Sequence, residues 1–477
     1  MKKIIVLLSL SAVLLSCKEE AKKTPETVTK EEPIAVTQVI EDGVIYEANI
    51  RQYSPEGTFN AFSKDIPVLK KLGVKVIWVM PINPISKIKR KATGEKFTSE
   101  IENEEERKKY LGSYYSVSDY KAINPEFGSF DDFKNLVSTA HDNGILVIVD
   151  WVPNHTGWDH PWIKSNPEYY TQNEKGEIID PINPETGESW GWTDVADLNY
   201  DNMDMRKDMI RDMKFWVEKA DIDGYRMDVA HKVPVDFFDT AIKEMKTVKP
   251  IFMLAEAEQP GLLQNGFDMQ YGWEAHHIFN QIAKGEASVT EFDDYMVKLD
   301  TILEADDINM NFVTNHDENS WNGTLLERMP NNKEVFTALT YVMPGMPLIY
   351  SGQEYDMEHR LRFFEKDTIP KTKGKYFSLL EKLGELKNTN SALNGGKKAA
   401  NYTRVKTSNN EAILAFKREK GGETVYFIAN LNDKEQEATI AITGEFTDYI
   451  STTAFKVDEN VAVKLAPWEY HILVAKK

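Results

Sequence analysis

Eight short apolar runs, each bounded by polar residues or glycine, punctuate the chain at 45–50, 75–80, 145–150, 223–228, 251–255, 267–270, 312–315 and 348–351. Most of them are followed by an amphipathic stretch, such as 127–141, 205–220 and 235–245, with apolar residues at three- and four-residue spacing. Short runs of this kind are strands covered on both faces, and strands that take turns with helices build a parallel sheet. Eight such units in succession close on themselves, so the predicted fold class is α/β, a (β/α)8 barrel of the TIM type.

Two stretches depart from the alternation. After the third run the chain is rich in Gly, Pro, Asn and Trp, too long for a connector, and reads as an inserted domain at about 155–197. From about 391 onward alternating strands take over, for instance 412–417, 424–429 and 461–464, which predicts a C-terminal antiparallel β-sandwich domain over 391–477. The barrel itself is assigned 39–390.

The amino terminus is an address. Lys2 and Lys3 precede an apolar run too short to span a bilayer, so 1–16 reads as a signal peptide. The run ends Leu14-Leu15-Ser16-Cys17, which resembles a bacterial lipobox, and the resemblance implies cleavage before Cys17 and lipidation of it. Residues 18–38 hold five Glu, four Lys and two Pro without Gly or an aromatic, too little apolar surface to offset ordering, so 17–38 is predicted to be a lipidated flexible tether. The body is then held at a bacterial membrane, on the outer membrane, at the cell surface or facing the periplasm. Cys17 is the only cysteine, which excludes an internal disulfide, a Cys-ligated metal and a cysteine nucleophile in the body. Net charge is −19, and such a surface repels phosphate backbones, so nucleic acid is not an expected partner.

In a barrel the chemistry gathers at the carboxyl ends of the strands. Four run ends carry it: Asp150-Trp151-Val152-Pro153-Asn154-His155, Gly224-Tyr225-Arg226-Met227-Asp228, Leu254-Ala255-Glu256-Ala257 and Asn315-His316-Asp317. Three converging carboxylates, Asp228, Glu256 and Asp317, suit acid/base and nucleophilic work on a neutral polyhydroxylated substrate. Glycoside hydrolysis fits: one carboxylate attacks the anomeric carbon, another protonates the leaving oxygen, and retaining enzymes hold the two about 5 to 5.5 Å apart. Arg226, two residues before Asp228 on one strand face, is expected to keep that carboxylate ionised as nucleophile, leaving Glu256 as the acid.

The four segments, in this order, resemble the signature regions of the α-amylase superfamily, glycoside hydrolase family 13, and Ala196-Asp197-Leu198-Asn199 resembles its short motif at the end of the inserted domain. The likeness runs from about Tyr46 through the last β-domain. It implies Asp228 as nucleophile, Glu256 as general acid/base and Asp317 as the carboxylate gripping sugar hydroxyls. It further implies Arg226 orienting the nucleophile, Asp150 supporting the arginine, His155 and His316 bonding the sugar, and Tyr115 stacking on it. His276 and His277 are read as structural. His231-Lys232 departs from the Lys-His that many members carry after the nucleophile, so contacts on the leaving-group side do not carry over. The family's calcium site would draw on Asn154 and Asp197, whose hard oxygens suit Ca²⁺. No organic cofactor is expected.

Trp158, Trp162, Trp190 and Trp192 lie in the insertion, and two of the four are assigned to sugar stacking. The expected activity is retaining cleavage of α-1,4-glucosidic bonds in starch or maltooligosaccharides. Within the superfamily an α-glucosidase, cyclomaltodextrinase or glucan transferase would share the same acids, whereas a non-catalytic starch-binding lipoprotein would not need all three.

Overall fold

Strands β1 (Val44–Ala48), β2 (Val74–Val79), β3 (Leu146–Trp151), β4 (Gly224–Met227), β5 (Phe252–Ala255), β6 (Met269–Tyr271), β7 (Asn309–Asn311) and β8 (Met346–Tyr350) are parallel neighbours in sequence order. The last closes on the first, with Ile45 beside Leu348. This computed structural model describes residues 36–476; the leader, Cys17 and the assigned tether up to residue 35 lie outside the described residues.

Period-two alternation decides what each strand offers to which side. On β1, Val44, Tyr46 and Ala48 face the surrounding helices, whereas Ile45 points inward to meet Val76, Leu146, Ile148, Leu254, Met269 and Leu348 in the barrel's own core. The helix Val36–Asp42 packs Val39, fully buried, into that core, so the body begins before residue 39 and 36–38 are helical rather than tether. Toward the carboxyl ends the interior turns polar: Glu47, Asp150 and Arg226 continue the inward series and are completely buried.

The outer helices follow from their own ends. Phe130–Asp142 starts at a capping box, with Ser129 Oγ accepting from the Asp132 N–H at 3.1 Å and Asp132 Oδ2 accepting from the Ser129 N–H at 2.8 Å. Met203–Ala220 is capped by Asn202 and turns Met205, Met209, Met213 and Trp216 to the core at three- and four-residue spacing.

One expected strand is misplaced. The seventh run, 312–315, lies beyond the ladder, and β7 is Asn309–Asn311 instead, pairing Met310 with Met346 and Asn311 with Pro347. Asparagine disfavours strands, but here each side-chain NH2 finds an acceptor inside the protein. Asn309 accepts from Gln270 Nε2 at 3.0 Å and donates to Tyr295 Oη at 3.1 Å, and Asn311 donates to the Pro344 carbonyl at 2.9 Å.

Two polypeptide excursions crown the carboxyl-end face. In one, His155–Gly157 pairs antiparallel with Val195–Asp197, His155 opposite Asp197, and the insertion rises between them. The other, the long β2-to-β3 connection, was not singled out from sequence, and carries Tyr115. The C-terminal domain is a six-stranded antiparallel sheet with a two-stranded ribbon, Gln436–Ala438 with Val463–Leu465. Leu414, Phe416 and Phe427 of the sheet join the main core, while Ile413, Ala415 and Ile428 meet Ala438 and Leu465 of the ribbon. Buried Arg418 fastens the sheet to the barrel by donating to the carbonyls of Val342 at 3.0 Å and Asn394 at 3.1 Å.

Gly224 opens β4 at φ +147, a region L-residues rarely adopt, and a Cβ there would stand 1.8 Å from the Phe252 carbonyl oxygen. The strand carrying Arg226 can therefore start only with glycine. Gly224→Ala is expected to cost about 3 kcal/mol or more, read as a lowered urea midpoint at unchanged slope.

Candidate active site

Arg226 is the centre of the site. The register sets Asp150 of β3 directly beside it on β4, and its Nη1 donates to Asp150 Oδ1 at 2.9 Å and to Asp228 Oδ1 at 2.8 Å. Nη2 makes an ion contact with Glu256 Oε1 at 2.8 Å, and Nε donates to Tyr271 Oη at 3.2 Å. One guanidinium thus holds carboxylates from the ends of three consecutive strands, and Asp228 and Glu256 sit on adjacent nitrogens of the same planar fork.

The structure adds Glu256 to the two partners expected for Arg226, Asp228 and Asp150. Burial and the charge of Glu256 push the Asp228 carboxyl well above the usual range, against the pull of Arg226. Burial likewise lifts Asp150 to about 6. Asp228 therefore keeps its proton to a higher pH than a free carboxyl would.

Glu256 is fixed from the other side by the Val229 N–H, which donates to Oε2 at 2.6 Å. To aim that N–H, Val229 takes a left-handed conformation at φ 46, ψ 41, which a β-branched residue disfavours. Strain directly after Asp228 thus holds the carboxyl of its neighbour.

His316 and Asp317 follow β7. His316 Nδ1 lies 2.5 Å from Glu47 Oε1, its Nε2 meets Tyr115 Oη at 2.8 Å, and the Asp317 carboxylate is 3.4 Å away. Tyr115 in turn donates to Asp150 Oδ2 at 3.1 Å, which also accepts from Trp78 Nε1 at 3.2 Å. A continuous chain therefore runs Glu47, His316, Tyr115, Asp150, Arg226. Burial disfavours a charged His316, but Asp317 and Glu47 outweigh it and raise the imidazole to about 9. His155 differs: burial depresses it to about 3, and it accepts the Asn154 amide on Nδ1 at 3.1 Å as a neutral ring. Asp317 is the most open acid, its side chain 36% exposed against 9% for Asp228 and 15% for Glu256.

The structure thus gathers Asp228, Glu256, Asp150, Arg226, His316, Asp317 and Tyr115 in one network. Asn154, His155 and Asp197 stand at its edge, at the base of the insertion. Asp197 accepts from Thr171 Oγ1 at 2.7 Å, and burial lifts its carboxyl to about 6. Among the described residues no three His, Cys, Asp or Glu side chains gather as a metal cluster. His276 braces the loop after Asp317 through Glu318, 3.2 Å away, while His277 is exposed and stacks on Trp273. Trp162 is buried among Tyr120, His160 and Tyr169, whereas Trp190 and Trp192 stack at 6.2 Å, with Lys232 3.9 Å over Trp190 and Trp192 5.9 Å from His155.

Sequence reading missed Glu47, Trp78 and Tyr271. Glu47 left a signal: it is the one acid within an otherwise apolar strand, on the inward parity of Ile45.

A family profile described as Alpha amylase, catalytic domain matches residues 37–424, and one described as Maltogenic Amylase, C-terminal domain matches 402–472. The chain belongs to the α-amylase family. It is an enzyme, a glycoside hydrolase by family. Alpha-amylase 3 of Dictyoglomus thermophilum is 25% identical over 462 residues, 82% of this chain and 85% of that one. A cyclomaltodextrin glucanotransferase of a Bacillus strain is 26% identical over 383 residues, 70% of this chain and 51% of that one. Among solved structures, a noncanonic maltogenic α-amylase of Thermotoga neapolitana superposes with TM-score 0.78 at 27% identity, covering 91% of this chain and 98% of its own. An α-amylase of Lactobacillus plantarum gives 0.77 at 25%, with 92% and 100% covered.

Because the Glu47 carboxylate helps hold the proton on His316, Glu47→Gln should let burial draw the imidazole down. The folded value lies above that of a free histidine, so this contribution is complete below about pH 6.5 and is lost as pH rises through about 9. The alkaline limb of kcat/KM is expected to move down by roughly one unit or more in the variant, with the acid limb in place.

Proposed function

We propose that the enzyme is a retaining hydrolase of α-1,4-linked glucans such as starch and maltooligosaccharides. The observation that carries this is the single guanidinium gripping Asp228 and Glu256 on neighbouring nitrogens, within an otherwise buried network that opens to solvent at Asp317. Two carboxyls held so close are what a double displacement needs. In the first step an Asp228 oxygen bonds to the anomeric carbon while the bond to the leaving oxygen breaks and the proton of Glu256 passes to that oxygen. In the second, Glu256 takes a proton from water, the water oxygen bonds to the anomeric carbon, and the ester to Asp228 breaks.

The remaining side chains would serve the transition state. Arg226, which gains no further charge partner when the ester forms, keeps the departing carboxylate of Asp228 paired. Asp317 and the charged His316 would grip sugar hydroxyls, neutral His155 would donate from Nε2, and the Tyr115 ring would cover the sugar face. Relatives that are alpha-amylases, a glucanotransferase and a cyclomaltodextrinase support a glucan as substrate.

The Asn154 and Asp197 oxygens at the base of the insertion would hold a calcium ion. Its charge would be structural, offsetting the buried Asp197 carboxyl, whose only direct side-chain partner among the described residues is the Thr171 hydroxyl. We further propose that lipid on Cys17 anchors the enzyme to a bacterial membrane, a reading supported by the lipobox-like Leu14-Leu15-Ser16-Cys17.

With maltoheptaose, the wild type should release α-configured short maltooligosaccharides, followed by NMR before mutarotation. Glu256→Gln should lower kcat by roughly 10²–10⁴-fold, and Asp228→Asn by at least as much. Release of β-anomers would refute the double displacement, and larger oligosaccharides would make the enzyme a transferase. For the anchor, labelled palmitate should enter the full-length protein in cells and be lost in Cys17→Ala, with the variant recovered in the soluble fraction.

A further inference from the structure

We infer that Trp321 and Phe363 continue the sugar-stacking surface beyond Tyr115, forming a strip for the further glucose units of a bound α-glucan chain. The inference rests on the glucan-hydrolase reading above and assigns residues to its length preference. Trp321 lies in the π-helical turn Glu318–Asn322 that directly follows Asp317, and its side chain is 49% exposed. Its ring packs on Phe363 with centroids 5.1 Å apart, and Phe363 lies within 8° of parallel to Tyr115 at 6.5 Å. Three rings therefore lead from the catalytic network to the surface, one end at the Tyr115 hydroxyl that meets His316 and Asp150, the other open.

The strip is built before any ligand arrives. The Leu361 N–H donates to Asn319 Oδ1 at 2.8 Å, tying the Phe363 segment to the turn that holds Trp321. On the other side buried Arg51 donates to the carbonyls of Gly112 at 3.1 Å and Phe363 at 3.3 Å, and the Leu111 N–H donates to Phe364 O at 2.6 Å. This fastens Phe363 to the loop that carries Tyr115. The turn itself is held by Glu318, which lies 3.2 Å from His276 Nε2 and accepts from Asn322 at 2.9 Å. Rings fixed on three sides lose little freedom on binding, which is how a stacking site gains affinity.

Comparison with the tryptophan pair of the insertion sharpens the assignment. Trp190 and Trp192 are capped by the Lys232 ammonium, whereas among the described residues no cation lies over Trp321. A flat, uncapped ring contiguous with the catalytic tyrosine offers an apolar face to the C–H side of a pyranose. Its ring neighbours are Phe363 and Phe364, so it would bind a neutral sugar by contact area.

Initial rates on maltotriose and maltoheptaose test this with Trp321→Ala, Trp321→Phe and Phe363→Ala. The Ala variants should lose about tenfold more kcat/KM on maltoheptaose than on maltotriose, with the excess carried in KM, and Trp321→Phe should recover most of it. Equal losses on both substrates would overturn the strip, leaving Trp321 acting only through the Asp317 loop, and wild-type rates on both would overturn it as well. A wild type that cleaves neither substrate would sink the glucan reading itself and the strip with it, so the two failures are told apart by the parent enzyme.

Discussion

A guanidinium buried at the top of the barrel is the interaction on which the rest of the site depends. Arg226 has no access to water, and its charge is tolerable there only because Asp150, Asp228 and Glu256 surround it. Equally, without it each of those acids would lose the cation it is paired with. The cation therefore fixes the acids geometrically and links them electrically. With one cation among three acids, Asp228 shares its guanidinium with Asp150 and Glu256.

The support around that centre is layered along the strands. Inward positions near the strand starts are apolar and close the floor against Val39, while those near the ends are Glu47, Asp150 and Arg226. The boundary falls within single strands, between Ile45 and Glu47 on β1 and between Ile148 and Asp150 on β3. Strand register, set by the core below, thereby sets which polar side chains meet above. Gly224 is part of this arrangement, since it lets β4 start close against β5, where Arg226 is level with Leu254 and its guanidinium reaches Glu256.

Much of this was legible from one sequence. The barrel could be read because its strands are short apolar runs, and Asp228, Glu256 and Asp317 because they stand where such runs end. The seventh strand was misread because Asn309 and Asn311 look like loop residues until Gln270 and Tyr295 are known to bond one of them and the Pro344 carbonyl to accept from the other. That Glu256 joins Asp228 and Asp150 on Arg226 was hidden for a related reason. Adjacency along one strand is visible in sequence, whereas the approach of Glu256 from the next strand is a matter of register. Trp321 was passed over because only the fold brings residue 363 between it and residue 115.

The floor helix has a consequence for the order in which the chain can become native. Val36–Asp42 is among the first described residues to leave the ribosome, yet Val39 packs into a core completed by Met346 and Leu348 of β8. Through most of synthesis its seat does not exist, and β1 lacks one of its two neighbours across some 300 residues of sequence. Contacts of such separation form late and slowly. The nascent barrel is accordingly an open sheet with two unpaired edges until β8 emerges, and the meeting of Glu47 with His316, 269 residues further along the chain, is a late event in the life of each molecule.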